Sequence, residues 1–194
     1  MGAGHSSGFC LFLFVCCFDR NRLPLRPCTR AGGEVWWCAT ATHGGAAAGS
    51  RQSAGSGDVT PDFPAGWRAQ GHPGDTFHAG ARPLSEPESR LLARLVRRLR
   101  PSATIWYHQA LALVDLGTVA DRALVRRYAA VGGLPARRLG FLPGVATRWQ
   151  DRLVRGGSAL VVKRRSGRLG ARGAARQARA VSAVARYLVA VRSM

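Results

Sequence analysis

The sequence predicts an α/β protein that is preceded by a poorly ordered N-terminal segment. Helix-like and strand-like patterns alternate from residue 85 onward, which is typical of α/β folds. The preceding stretch "ATATHGGAAAGSRQSAGSG" has too few bulky apolar side chains to pack. The chain has 194 residues and is 46% hydrophobic, so a single domain of this size can bury a core.

The first predicted helix follows the stretch "SEPE" at residues 85–88. Ser85 and Glu88 have the spacing of a capping box, in which each side chain accepts a hydrogen bond from a backbone N–H of the first turn. Pro87 suits the first turn because its missing N–H would have no helical partner there. Pro101 ends the predicted helix.

Two apolar runs predict buried strands, and two further helices complete the pattern. The runs are "ATIWYHQ" at 103–109 and "SALVVK" at 158–163, which are continuous rather than alternating. A helix is predicted over 119–131, ended by a glycine, and a long alanine-rich helix over about 171–192.

The charge of the chain is strongly positive and is carried almost wholly by arginine. The sequence has 29 basic and 10 acidic residues, for a net charge of +19, and Lys163 is the only lysine. Non-specific contact with polyanions is therefore expected. A basic nucleic-acid-binding protein without catalysis is the alternative function, although the aromatic residues are scattered rather than set between basic ones.

The N-terminal segment, residues 1–48, is predicted to be irregular or disordered, and an unrelated or frame-shifted origin stays open. It holds all five cysteines without a metal-binding spacing. Its apolar run "FCLFLFVCCF" is too short to span a bilayer, so no transmembrane segment is predicted. The run has the length of a signal-peptide core, but no basic residue precedes it. Cytoplasmic and secreted locations both stay open.

From residue 49 onward, four stretches in succession resemble the zinc carboxypeptidase family, in particular its bacterial members similar to murein peptide amidases. The stretches are "GSRQSAGSGDVTPDFPAGWR" (49–68), "ARPLSEPESRLLARLVRRLRP" (81–101), "TIWYHQ" (104–109) and "PGVATRWQDRLVRGGSALVV" (143–162). Residues 49–194 thus resemble part of a zinc carboxypeptidase domain, mainly its C-terminal part, and this resemblance implies an incomplete mixed β-sheet flanked by helices.

The resemblance implies a zinc cofactor and a peptide or murein-peptide substrate. In such a site two histidines and a glutamate hold zinc, which lowers the pKa of a bound water. A second glutamate takes the proton of that water, and an arginine stabilises the oxyanion. The reaction is hydrolysis of a peptide or amide bond next to a terminal carboxylate, which an Asn-Arg pair grips.

Two residues carry over from the family's site to this sequence. His108, at the end of "TIWYHQ", matches the last metal ligand; a hydrogen-bonded core histidine is the alternative. Arg51 matches the substrate-binding arginine that stabilises the oxyanion; one more surface arginine is the alternative. Phe63 and Pro64 match the end of the carboxylate-binding segment.

Three departures from the family pattern argue against catalysis. Thr60 and Pro61 replace the Asn-Arg pair. Lys163 occupies the position of the catalytic glutamate, where an ammonium cannot act as a carboxylate base and repels a metal cation. The His-x-x-Glu motif is absent from the sequence. We therefore predict a zinc metallocarboxypeptidase-like or murein peptide amidase-like protein that is degenerate or inactive as written, and we assign no catalytic residue.

Overall fold

The computed structural model describes the chain most fully from residue 61 onward. For residues 11–18, 28–31 and 35–42 the structure describes the backbone alone. It describes backbone and side chains for residues 61–73, 75, 78–109, 111–117, 121–140, 142–165 and 169–192, except for the side chains of residues 109 and 192.

Seven strands and four helices are present in these ranges. The strands are β1 (Leu11–Phe18), β2 (Cys28–Ala31), β3 (Val35–Thr42), β4 (Ala103–Gln109), β5 (Leu113–Asp115), β6 (Ala136–Arg137) and β7 (Ser158–Arg164). The helices are α1 (Pro87–Leu99), α2 (Arg122–Gly132), α3 (Ala146–Leu153) and α4 (Ala171–Arg192).

The strands form one mixed sheet in the order β2-β3-β1-β4-β7-β5-β6. The central pair, β4 and β7, is parallel, and β1 runs antiparallel to β4. On the other side, β5 is antiparallel to β7 and parallel to β6. The prediction of an α/β fold with a mixed sheet flanked by helices is confirmed.

Each face of the central strands packs against a different pair of helices, because side chains alternate along a strand. On one face Trp106 belongs to a core formed with α1, α3 and Phe63. On the other face Ile105 and Tyr107 belong to a core formed with α2 and α4. Trp106 and Ile105 are at most 2% exposed, so the sheet is covered on both sides here.

Most predicted elements from residue 85 onward are present with small shifts. Strands β4 and β7 and helix α4 lie where they were predicted. Helix α2 begins later than predicted, because the Asp121 carboxylate accepts hydrogen bonds from two N–H groups of its first turn. Its last residue is Gly132, and its C-cap is Gly133, in the left-handed conformation, one residue beyond the predicted glycine. Strand β5 and helix α3 were not predicted.

The backbone of three strands is described inside the segment that was predicted to be irregular. Strand β1 covers most of the apolar run "FCLFLFVCCF" and pairs with the edge of β4 that β7 leaves open. The division of the chain at residue 48 stays a prediction. Of the helices described above, none is both long and apolar enough to cross a membrane.

Residues 61–65, here called the Phe63 segment, supply the cap of helix α1. Asp62 is fully buried, and its carboxylate accepts the backbone N–H groups of Ser85 and Glu86, both at 3.0 Å. It also accepts the hydroxyl of Ser89. The predicted capping box of Ser85 and Glu88 is wrong, because the N-cap is Glu86 and no side chain of the helix caps its first turn. The buried carboxylate of Asp62, from a distant segment, instead accepts the N–H groups of Ser85 and Glu86 at the entry of the helix.

The Phe63 segment is also held by backbone hydrogen bonds to Gly144. The N–H of Phe63 donates to the carbonyl of Gly144 at 2.8 Å, and the N–H of Gly144 donates to Ala65 at 3.2 Å. Gly144 has a φ of +67°, and a Cβ atom there would lie 2.0 Å from the carbonyl oxygen of Pro61. Only glycine fits at this contact.

We expect Gly144→Ala to lower the free energy of unfolding by about 1–3 kcal/mol more than Gly156→Ala does. Gly156 has a similar φ of +74°, but a Cβ atom at this position would meet no other atom within 4 Å. Both variants incur the cost of the left-handed conformation, whereas only Gly144→Ala displaces Pro61. Urea unfolding measures the difference. Equal losses would show that the contact with Pro61 is unimportant.

We expect Asp62→Ala to destabilise the protein by about 3 kcal/mol, because it leaves buried N–H and hydroxyl donors without an acceptor. Asp121→Ala is the matched control, since it removes a cap at the exposed start of α2, and should cost about 1 kcal/mol. Urea unfolding at pH 7 ranks the two variants. A loss for Asp62→Ala no larger than that for Asp121→Ala would contradict the buried-cap interpretation.

Burial raises the pKa of Asp62 above its ordinary 3.8, and the hydrogen bonds from Ser89, Glu86 and Ser85 oppose this rise. The native state therefore binds a proton more tightly than the unfolded chain. The contribution of Asp62 to stability should fall as the pH rises from 3.8 through the native pKa. Urea unfolding across this range, for the wild type and for Asp62→Asn, isolates the contribution. A difference that grows with pH would mean that the hydrogen bonds outweigh burial.

Candidate functional site

His108 and Lys163 are neighbours at the carboxyl ends of β4 and β7. The two residues are Cα partners in the parallel pairing of these strands. Trp106 and Val161, two residues earlier on each strand, are also partners and belong to the same core. Because side chains alternate along a strand, His108 and Lys163 lie on the face of Trp106. The structure thus brings together the predicted metal ligand and the lysine that replaces the predicted glutamate.

The Phe63 segment packs on this same face of the sheet. The rings of Phe63 and Trp106 meet edge to face, with their centroids 5.6 Å apart, and Trp149 of α3 lies 5.2 Å from Phe63 on another side. Phe63 is fully buried. The segment that resembles the family's carboxylate-binding loop is therefore anchored on the same side of the sheet as His108.

A chain of hydrogen bonds holds the part of β4 that precedes His108. The indole N–H of Trp106 donates to the hydroxyl of Thr104 at 3.1 Å, and that hydroxyl donates to the Gln150 carboxamide oxygen at 2.7 Å. Gln150 is fully buried on α3. The polar groups of this face therefore link the central strand to α3 and fix its orientation next to the candidate site.

The zinc implied by the family resemblance does not fit the described residues. Catalytic zinc needs three protein ligands, and within the described part of the chain no three His, Cys, Asp or Glu side chains converge. His108 is 5% exposed and is flanked by Lys163, which is partly buried. The positive charge of a lysine at the strand position paired with His108 opposes the binding of a divalent cation nearby.

The described part of the Phe63 segment offers no grip for a substrate carboxylate. Pro61 has neither a side-chain donor nor a backbone N–H. The Asp62 carboxylate carries the wrong charge and is occupied in capping α1. Thr60 lies outside the described residues. The predicted substrate-binding residue Arg51 also lies outside them, so its role stays a prediction.

Sequence reasoning missed the role of Asp62, although it noted the residues around it. The capping contacts join positions 23 to 27 residues apart, so no local pattern marks them. The one local signal is that the acidic Asp62 lies directly before an aromatic residue, Phe63, in a short segment that begins with Pro61.

Known proteins resemble this chain in structure, whereas comparison by sequence found no match. No protein family and no curated protein matches the chain by sequence. Murein-tripeptide amidase MpaA from Escherichia coli is similar in structure, with a TM-score of 0.55 and 21% identity, over 75% of this chain and 63% of that one. Carboxypeptidase A from Helicoverpa armigera has a TM-score of 0.60 and 12% identity, over 71% and 43%.

A third structure, bovine thrombin-activatable fibrinolysis inhibitor in complex with tick carboxypeptidase inhibitor, has a TM-score of 0.58 and 18% identity, over 69% of this chain and 57% of that one. The chain covers less than two thirds of the length of each of these structures. Identities this low support a statement about the fold alone. The chain has a zinc carboxypeptidase-like fold.

Proposed function

We propose that the chain is a degenerate relative of the zinc carboxypeptidases and murein peptide amidases that does not hydrolyse peptides as written. The observation that carries the proposal is the pairing of His108 with Lys163 at the ends of the central strands. The predicted ligand is retained there, while a lysine occupies the position at which the resemblance implies a carboxylate base.

The charge of Lys163 argues against hydrolysis in two ways. A protonated amine cannot take a proton from water, whereas the general base of this reaction must do so. Its positive charge also disfavours a nearby divalent cation. The Asp62 carboxylate is engaged in hydrogen bonds to Ser85 and Glu86. Together with this lysine, it supports the interpretation that the chain has the fold of these enzymes without their catalytic activity.

The substrate class of the proposal comes from the structural likeness. The name of the Escherichia coli enzyme specifies a murein tripeptide, and the other two structures are carboxypeptidase-type proteins. A peptide with a terminal carboxylate is therefore the substrate to test, with zinc as the cofactor. Arg51 is the proposed contact of the carbonyl group of such a peptide. The contacts described for this face do not favour the alternative of a nucleic-acid-binding protein.

We expect the purified full-length chain, equilibrated with excess zinc and then desalted, to hold almost no zinc, well below one ion per chain. It should hydrolyse neither a murein tripeptide nor a peptide with an apolar C-terminal residue. Elemental analysis measures the metal, and chromatography of the two reaction mixtures measures the products.

Two histidine variants provide the control for this experiment. His108→Ala removes the proposed former ligand, and His72→Ala removes an exposed histidine of the loop before α1. Neither substitution should change the zinc content. About one zinc per chain that is lost in His108→Ala and kept in His72→Ala would overturn the proposal, as would zinc-dependent release of a C-terminal residue.

A further inference from the structure

We propose that a basic cavity on the opposite face of the sheet binds a compact anion that carries two or more phosphate groups. The cavity has a volume of about 400 Å³ and lies where the ends of α2 and β7 meet the start of α4. This volume is within the range of small-molecule sites. The proposal does not depend on whether the protein hydrolyses peptides.

Four arginines line this cavity, and its described lining contains no carboxylate. They are Arg164 and Arg165 at the end of β7 and Arg172 and Arg176 in the first turns of α4. The other lining residues are glycine, leucine and glutamine. Guanidinium groups bind phosphate through paired hydrogen bonds as well as through charge. Four of them around one concave surface repel one another unless an anion lies between them.

The stretch of sequence that carries these arginines contains no acidic residue. After Asp151 the chain has 11 basic residues and no acidic one. The first turn of α4 also lacks an acidic residue, although the N-terminus of this 22-residue helix favours negative charge. The helix and the arginines therefore add positive potential at the same place.

Glycine brings backbone close to the guanidinium group of Arg176. Gly133 ends α2 with a φ of +64°, and a Cβ atom there would lie 2.8 Å from Nη1 of Arg176. The exposed Arg176 side chain therefore lies close to bare backbone at the wall of the cavity, and a larger residue at position 133 would displace its end.

A buried hydroxyl orients the glutamine of the cavity wall. The Tyr107 and Tyr128 hydroxyls are 2.7 Å apart, and the Tyr128 hydroxyl donates to the carboxamide oxygen of Gln177. Burial, followed by the effect of Tyr107, raises the pKa of Tyr128 far above its ordinary value, so this hydroxyl keeps its proton. With the oxygen of Gln177 engaged, its NH₂ group is the part that can donate to a ligand.

The chemistry of the lining selects the kind of anion. Four guanidinium groups and one amide provide many donors, and a phosphate group carries about −1.5 to −2 charges at neutral pH. Two phosphate groups together therefore carry about −3 to −4 charges and offset most of the charge of four arginines. Pyrophosphate is the smallest probe with this charge, and inorganic phosphate is the matched probe with half of it.

The test is isothermal titration of the full-length chain with pyrophosphate and with inorganic phosphate, at about 0.15 M salt to screen surface charge. We expect saturable binding of one pyrophosphate per chain and binding of phosphate that is at least about tenfold weaker. Arg172→Gln with Arg176→Gln should weaken pyrophosphate binding by about tenfold or more.

The control is Arg94→Gln with Arg98→Gln, which removes two exposed arginines at the same spacing on helix α1. Pyrophosphate affinity should be kept in this variant. If pyrophosphate binding weakened equally in both double variants, the net charge of the protein alone would attract the anion, and the proposal would be overturned. The absence of saturable pyrophosphate binding would also overturn it. Binding of a short single-stranded oligonucleotide that depends on Arg172 and Arg176, without binding of pyrophosphate, would also overturn it.

Discussion

The parallel pairing of β4 with β7 is the constraint on which the rest of this structure depends. Their register joins seven residues of each strand, and alternation sends successive pairs to opposite faces. The pair formed by His108 and Lys163 therefore lies on the face of α1 and α3, and Arg164 lies on the face of α2 and α4. A slip of one residue would send each side chain of the slipped strand to the opposite face and disrupt the packing of both cores.

The contacts of the Phe63 segment do not depend on the side chains that the family resemblance implies for substrate binding. Its structural contacts use the aromatic ring of Phe63, the carboxylate of Asp62 and the backbone of Gly144. None of these contacts requires the side chain at position 61, where the resemblance implies an arginine. Since packing and capping do not depend on that side chain, proline can stand there without loss of the core.

How far the sequence predicts this structure depends on how local each signal is. Strands β4 and β7 and helix α4 are predicted because their apolar patterns lie within a single stretch of chain. Strand β5 has three residues and α3 has eight, so neither is long enough to show a clear periodic pattern of apolar residues. The contacts of Asp62 join distant segments, so no local pattern predicts them, and the local sequence predicts a capping box at Ser85 instead. The position of His108 next to Lys163 followed only from the family resemblance.

The end of β7 reverses the electrostatics that a metal site at this edge of the sheet requires. A zinc centre gathers carboxylates and neutral imidazoles to hold a cation. Here Lys163, Arg164 and Arg165 follow one another, so the strand delivers positive charge to both faces of the sheet at its carboxyl end. Charge of this sign repels metal cations and attracts anions. The run of basic residues that opposes a metal site on one face therefore continues into the basic wall of the cavity on the other.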